Sequence, residues 1–138
     1  MKIHQSTVIL LLVICTSLPT YSQNYEAFKR KHVAPGMRAK DCTAVIENRR
    51  INRYGPCKQT NTFIIAAEAQ IKEVCISGKG DGKTYKSNTY FYVIDCTFDK
   101  KEWNSCKYKD DVNPKVTQIT LTCEGGVPVH YGPAKTAG

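Results

Sequence analysis

The spacing of aromatic residues near the start of the chain predicts a short helix. Tyr25, Phe28 and His32 are spaced i, i+3 and i+7, so they share one face of a helix, which we expect to point inward. Basic residues near the end of this segment suit the helix dipole, and Pro35-Gly36 ends it. His32 is therefore predicted to be partly buried beside an aromatic ring.

Two more helices are predicted in the first half of the chain. One begins at Asp41, a good N-cap residue, and continues through Cys42, Val45 and Ile46. The other runs from about Ile64 to Cys75. Its apolar stripe consists of Ile64, Ala67, Ile71 and Val74.

From Tyr85 onward the pattern changes to that of β-strands. Residues 89–94 are β-branched or aromatic, and residues 117–123 alternate polar with apolar side chains. Gly125-Gly126 predicts a tight turn into residues 127–131, which gives a terminal hairpin. Early helices followed by an antiparallel sheet predict an α+β domain.

The apolar run near the N-terminus predicts a secretory leader over residues 1–22. Lys2 supplies a positive start, Val8 to Cys15 is apolar, and Thr20-Tyr21-Ser22 has the small-x-small pattern of a cleavage site. This run is too short to span a bilayer, which needs about 20 residues. The alternative is a buried core strand. Residues 23–138 are then expected to form one secreted, soluble domain.

Cysteine usage outside the leader predicts three disulfides, because an even number of cysteines in an exported chain favours pairing. Zinc binding is the alternative, but no two of these cysteines have C-x-x-C spacing. Spacing alone leaves many pairings open. The cysteines are Cys42, Cys57, Cys75, Cys96, Cys106 and Cys123.

The strong positive charge of the chain predicts polyanionic partners. There are 20 Lys and Arg against 12 Asp and Glu, a formal net charge of +8, to which Lys2 of the leader contributes one. A small secreted protein this basic is expected to bind nucleic acid, heparan-type sugars or anionic membranes. The alternative is that the charge only aids solubility.

Two histidines outside the leader, His32 and His130, lie near opposite ends of the chain. Histidine has an ordinary pKa of about 6.5, so it can both give and take a proton near neutral pH. A reaction with one general base and one general acid needs two such groups, and folding must bring them together. A surface histidine usually has no chemical role, so the pair alone is weak evidence.

The segment from Cys57 to Phe63, Cys-Lys-Gln-Thr-Asn-Thr-Phe, combines an anchored cation with hydrogen-bonding groups. A disulfide at Cys57 would hold the Lys58 ammonium in place, where it could stabilise an anion. Thr62 offers a hydroxyl that donates or accepts, beside a backbone N–H that only donates. Such a pair could bind the Watson–Crick edge of either pyrimidine. In isolation, a polar loop before a helix is the simpler interpretation.

Four features together resemble the pancreatic-type ribonuclease A superfamily. They are the CKxxNTF segment, Val-Pro-Val-His at residues 127–130, a helix carrying Phe28 and His32, and six ordered cysteines. The resemblance covers nearly all of residues 23–138. With six cysteines rather than eight and a basic cluster at residues 49–53, it is nearest to the angiogenin-like branch, which includes fish secreted ribonucleases.

This resemblance implies a V-shaped, kidney-like α+β fold with three short helices and a twisted antiparallel sheet. The implied disulfides are Cys42–Cys96, Cys57–Cys106 and Cys75–Cys123.

The resemblance also implies a function, metal-free cleavage of RNA after pyrimidines by a secreted endoribonuclease without a cofactor. His32 would take the proton of the ribose 2′-hydroxyl that attacks phosphorus, and His130 would protonate the departing 5′-oxygen, leaving a 2′,3′-cyclic phosphate. Lys58 would stabilise the transition state. DNA lacks the attacking hydroxyl, so only RNA would be cut.

Thr62 would select pyrimidines, supported by Asp95 and by Tyr131 against the base. Further implied substrate contacts are Arg30, Lys31, Asn61 and, for the second base, Glu124.

Departures from the family pattern predict a modest rate of RNA cleavage. Lys31 replaces the glutamine that often precedes the first histidine, and Gly132 replaces the acidic residue that commonly orients the second. We therefore expect His130 to be less well positioned. The tail, residues 133–138, leaves open whether the pyrimidine site is obstructed, and the loop between Cys75 and Cys96 lacks the extra disulfide that supports the second-base site.

Other partners follow from the charge and the resemblance. Arg30, residues 49–53 and the lysines of residues 79–86 are expected to contact RNA phosphates or to form a solvated surface. Residues 49–53 could instead bind anionic cell surfaces or bacterial membranes, or direct nuclear or nucleolar uptake, as in angiogenin-like relatives. A ribonuclease inhibitor is a further implied partner, and a monomer is expected. The alternative function is a cationic host-defence or angiogenic factor with incidental RNA cleavage.

Overall fold

The protein is described by a computed structural model that covers residues 20–102, 104–111 and 113–135. Most of the predicted leader lies outside these ranges, and the prediction of a leader is not tested by them. Within the described ranges, no helix is both long enough and apolar enough to cross a membrane.

Three α-helices lie in the described ranges, as predicted: α1, Thr20–His32; α2, Cys42–Asn48; and α3, Glu68–Ser77. The inward face of α1 is confirmed, because Tyr25, Phe28 and His32 are all buried. A 3₁₀ turn, Ala39–Asp41, leads into α2. Asp41 stands at the predicted N-cap position, but its carboxylate accepts the backbone N–H of Arg38 instead of capping α2.

The predicted start of the third helix at Ile64 is wrong. Ile64 ends strand β1, Thr60–Ile64, which pairs antiparallel with β4, Phe91–Phe98. The helix begins only at Glu68, although Ile71 and Val74 do face the core as the stripe predicted. A strand partner about 30 residues further along the chain overrides the local helical spacing.

Eight strands form two four-stranded antiparallel sheets in the described ranges, where a single sheet was predicted. The predicted terminal hairpin, which turns at Gly125-Gly126 into residues 127–131, is confirmed. Both glycines have positive φ (60° and 79°), the conformation that favours glycine in a two-residue hairpin loop. The first sheet contains β1, β4, β5 (Tyr108–Lys109) and β6 (Lys115–Thr117), and the second contains β2 (Lys79–Gly80), β3 (Thr84–Lys86), β7 (Thr120–Glu124) and β8 (Val127–Tyr131).

Of the three disulfides, two join a helix to a strand and one joins two loops, and their pairing is the one that the resemblance implies. Each closes a long stretch of chain, with sequence separations of 54, 49 and 48 residues, so each is expected to contribute about 2–4 kcal/mol to the free energy of unfolding. Their thiolates are therefore not available to zinc. The pairs are Cys42–Cys96, Cys57–Cys106 and Cys75–Cys123.

The end of α1 is fixed against the first sheet. Val33 forms a parallel bridge with Ile64, and the backbone N–H of Ala34 donates to the Ile64 carbonyl at 3.0 Å. At its other end, α1 is tied to α3 by a hydrogen bond from the Tyr25 hydroxyl to the Glu68 carboxylate. Because α1 also packs on β8, its last turn lies between β1 and the terminal hairpin.

Candidate active site

A groove of about 470 Å³ lies where α1, β1 and β8 meet. It brings together six of the predicted site residues, which come from both ends and the middle of the chain: Lys31, His32, Lys58, Thr62, His130 and Tyr131. The rest of its lining is Asn24, Ala27, Phe28, Thr60 and Val129.

His32 is held in one tautomer by the backbone of β1. Its Nδ1 lies 2.7 Å from the carbonyl oxygen of Thr62, which can only accept, so Nδ1 carries the hydrogen. In the neutral ring Nε2 is then the unprotonated nitrogen, the form that a general base requires. The pKa of His32 is lowered to about 4, mainly by burial, with a further contribution from the charges of Lys58 and Lys31. The hydrogen bond to Thr62 acts in the opposite direction and offsets only part of this shift.

The strand register explains why Thr62 faces the groove. Backbone bonds from Phe98 to Gln59 and from Ile65 to Tyr92 mark the hydrogen-bonded pairs of β1 and β4. Since these pairs alternate along an antiparallel ladder, Thr62 and Asp95 form a non-hydrogen-bonded pair. The N–H and C=O of Thr62 therefore point away from β4. The C=O binds His32, and the N–H is left as a donor at the groove.

The Thr62 hydroxyl is oriented by Asp95. It donates to a carboxylate oxygen of Asp95 at 2.6 Å, and the other oxygen of Asp95 forms an ion pair with Lys115 at 3.5 Å. With its hydrogen directed to Asp95, the hydroxyl presents lone pairs to a ligand. Asp95 thus acts on Thr62 and is not itself part of the groove lining.

Lys58 is held through its backbone and its ammonium, next to the Cys57–Cys106 disulfide. Its N–H donates to the side chain of Asn52 at 2.9 Å, and its carbonyl accepts the Tyr108 hydroxyl at 2.6 Å. Its Nζ donates to Asn61 at 2.8 Å. Burial and the nearby Lys31 lower the pKa of Lys58, which makes an added negative charge favourable at this point.

Asn61 is buried and hydrogen-bonded within the protein, in contrast to the direct substrate contact expected from the sequence. Its side chain is 1% exposed, and both of its polar atoms are used: Oδ1 accepts from Lys58 Nζ, and Nδ2 donates to the Lys31 carbonyl at 2.8 Å. It is a positioning residue that connects the ammonium of Lys58 to the end of α1.

For the RNA cleavage that the family resemblance implies, replacing Asn61 with alanine is expected to lower kcat about tenfold or more, because the Lys58 ammonium loses a charge-assisted hydrogen bond. Steady-state kinetics on uridylyl-adenosine measure the effect, at a temperature where thermal unfolding shows both proteins folded. In a Lys58→Ala background, the same replacement should have little further effect on kcat. If the two replacements lowered kcat by independent factors that multiply, Asn61 would not act through Lys58.

His130 lies on β8 opposite Thr122, and its ring is exposed at the groove. Partial desolvation at the groove and the charges of Lys135, Lys58 and Lys31 lower the pKa of His130. Among the described residues, none forms a hydrogen bond to its ring. Gly132 has a φ of +114°, and a β-carbon built there would lie 3.6 Å from His130 Nε2. Gly132, which replaces the acidic residue of the family pattern, therefore has a backbone conformation that residues with a side chain rarely adopt.

The other predicted contacts lie outside this groove. Arg30 donates from Nη1 to the carbonyls of Arg49 and Arg50, at 3.0 and 3.2 Å. Arg49 in turn donates to the carbonyls of Arg30 and Val33, so it braces α1 and is only partly free to meet a ligand. Glu124 is exposed at the end of β7, beside the glycine turn.

The described part of the tail, residues 133–135, does not line the groove. The Ala134 N–H donates to the Thr84 hydroxyl at 2.9 Å, which places Ala134 on β3 of the second sheet. Residues 136–138 lie outside the described ranges.

Two residues that shape the site, Tyr108 and Lys115, were not predicted from any sequence pattern. Tyr108 holds the Lys58 carbonyl from 50 residues away, and Lys115 reaches Asp95 from a neighbouring strand. Both act through tertiary contacts, which no local pattern encodes. In the described part of the chain, no cluster of three or more His, Cys, Asp or Glu side chains could hold a metal ion.

Comparison with known proteins agrees with this geometry. A family model described as pancreatic ribonuclease matches residues 23–132. The chain is 38% identical to Ribonuclease-like 3 of Danio rerio, covering 95% of this chain and 96% of that protein. It is 30% identical to Angiogenin of Oryctolagus cuniculus, covering 90% of this chain and 87% of that protein. The solved structure of RNASE ZF-1A superimposes with a TM-score of 0.74 at 34% identity, over 87% of this chain and 98% of that one.

Proposed function

The chain belongs to the pancreatic ribonuclease family, and we propose that it cleaves single-stranded RNA on the 3′ side of pyrimidines with His32, Lys58 and His130. The observation that carries this proposal is the pairing of a tautomer-locked, buried His32 with an exposed His130 at one groove, beside the held ammonium of Lys58.

The chemistry is a transesterification. Nε2 of His32 takes the proton of the ribose 2′-hydroxyl, and the 2′-oxygen forms a bond to the adjacent phosphorus. The bond from phosphorus to the 5′-oxygen of the next nucleotide breaks, and His130 gives its proton to that oxygen. The products are a 2′,3′-cyclic phosphate and a free 5′-hydroxyl. Protons and bonds balance using only the two imidazoles.

Lys58 stabilises the negative charge that builds on the phosphoryl oxygens during the attack. A group already fixed by the Asn61 side chain and two backbone bonds needs little reorganisation at the moment of reaction. Lys31 adds a second positive charge to the same groove.

The pyrimidine preference rests on the Thr62 N–H and hydroxyl. The N–H donates to the O2 atom that uracil and cytosine share, and the hydroxyl meets N3. Uracil has an N3–H donor, so the hydroxyl can accept it while still donating to Asp95. Cytosine needs the hydroxyl as a donor, which breaks that bond. We therefore propose that uridine is the preferred nucleoside. The Tyr131 ring, whose centroid lies 5.5 Å from that of the His32 ring, would pack against the uracil base.

The pH dependence of cleavage tests the paired imidazoles. His32 must be neutral, so kcat/KM rises as pH increases through its pKa of about 4, and His130 must be protonated, so kcat/KM falls as pH increases through its lowered pKa. We expect a bell for uridylyl-adenosine with its maximum below pH 6.5, unaffected by EDTA. A flat profile, or activity that depends on magnesium, would contradict the proposal.

We further propose that the protein acts outside the cell. The three disulfides support this, because such bonds persist in oxidising compartments. The angiogenic, antibacterial and nuclear roles stay predictions from charge and resemblance.

A further inference from the structure

A second groove, of about 420 Å³, adjoins the candidate active site. The two share Lys31 and Lys58, the two lysines that line the candidate active site. Beyond these, the second groove runs between the end of α1 and the segment that joins α2 to Cys57. It has no residue in common with the Thr62 and Tyr131 pair proposed to bind the pyrimidine.

Positive charge continues along this second groove. Arg30 lines it from α1, and Arg50 lines it from the joining segment. The Arg30 guanidinium is fixed by the carbonyls of Arg49 and Arg50, and these bonds use only Nη1, so the remaining donors of its planar fork are available to an anion. A phosphodiester chain leaving Lys31 and Lys58 would therefore meet further cations.

Tyr54 stands at this groove with its side chain in water. It is 88% exposed, the highest value of any large hydrophobic side chain in the described ranges. The Arg53 guanidinium lies over its ring, 5.0 Å from the centroid, which supports the ring on one face and leaves the other open. A lone exposed tyrosine is ordinary. One that lines a cationic groove leading from a phosphate site has the arrangement of a stacking platform for unpaired bases.

We propose that Tyr54 stacks on an unpaired base of the RNA strand 3′ to the cut, while Arg50 binds the backbone that leads to it. This rests on the proposed function, since the strand is placed by its scissile phosphate. The 3′ direction follows because the second groove joins the first at the phosphate-binding lysines and not at the pyrimidine-binding residues. The substrate is then an extended single strand, of which a dinucleotide fills only part.

The experiment compares two substrates with the full protein. One is uridylyl-adenosine, which is too short to reach Tyr54, and the other has the same scissile step followed by several purine nucleotides on the 3′ side. Tyr54→Ala should lower kcat/KM about tenfold on the extended strand and leave the dinucleotide unchanged. Tyr54→Phe keeps the ring and should behave as the parent. Tyr90→Ala is the matched control, because Tyr90 is also exposed (66%) but lines neither groove.

Two substrate changes locate the effect. Replacing the stacked nucleotide with an abasic one should lower parent activity and abolish the difference between parent and Tyr54→Ala. Moving the extension to the 5′ side should also abolish it. The proposal is overturned if Tyr54→Ala cleaves the 3′-extended strand like the parent, as expected of a protein-binding surface, or if it loses activity equally on both substrates. A parent that cleaves neither substrate would instead refute the proposed function.

Discussion

Replacing His130 with alanine is expected to lower kcat/KM for uridylyl-adenosine by about 10²- to 10⁴-fold, because the departing 5′-oxygen would leave without a proton. The exposed ring of His130 contributes little to packing, so the free energy of unfolding should change by less than about 0.5 kcal/mol. A loss of activity can then be assigned to chemistry. The measurement is steady-state cleavage at the pH optimum, with thermal unfolding of the same samples.

A change of leaving group separates the acid from the base. A uridine 3′-phosphate ester of 4-nitrophenol releases a stable phenolate that needs no proton. His130→Ala should cleave this ester nearly as fast as the parent, whereas His32→Ala should be slow on both substrates, because the 2′-hydroxyl must still lose its proton. If His130→Ala were equally impaired on the ester, His130 would not be the general acid.

Replacing Lys58 with alanine is the second large effect, an expected loss of about 10²- to 10³-fold in kcat, as for the removal of one preorganised donor from a developing anion. KM should change much less, because the charge that Lys58 meets is greatest in the transition state. Initial rates over a range of uridylyl-adenosine concentrations separate the two parameters.

Matched variants define this effect. Lys109→Ala removes an exposed lysine of β5 outside the groove and should leave kcat unchanged. Lys58→Arg keeps the charge but cannot reproduce the ammonium geometry at Asn61, so it should recover only part of the rate. Loss confined to KM in Lys58→Ala would show that the lysine only attracts RNA.

Local periodicity was enough to predict α1 and the terminal hairpin. The spacing of Tyr25, Phe28 and His32 determines which face is buried, and two adjacent glycines determine the hairpin turn. It failed at Ile64, where helical spacing continues through a segment that is a strand. The free energy that decides this case comes from pairing with β4, and a window of sequence does not contain that partner.

The sequence predicted which residues form the site better than it predicted what each of them does there. The sequence and its family resemblance indicated His32, Lys58, Thr62 and His130, which share one groove. They also indicated Asn61 as a substrate contact, whereas it is buried and its amide oxygen and nitrogen both form hydrogen bonds inside the protein. An asparagine looks the same in a sequence whether its amide meets a ligand or a neighbour, so burial had to be known first.

By itself the sequence determined the fold class, the number of half-cystines and the types of side chain available for proton transfer, because composition and short-range spacing carry this information. Only the tertiary structure decided which ring nitrogen of His32 is free, where the Thr62 hydroxyl sends its hydrogen, and that Tyr54 lies beside a cationic groove. These features depend on contacts between residues tens of positions apart. Such contacts exist only after the chain has packed, and they set the protonation and orientation on which the chemistry depends.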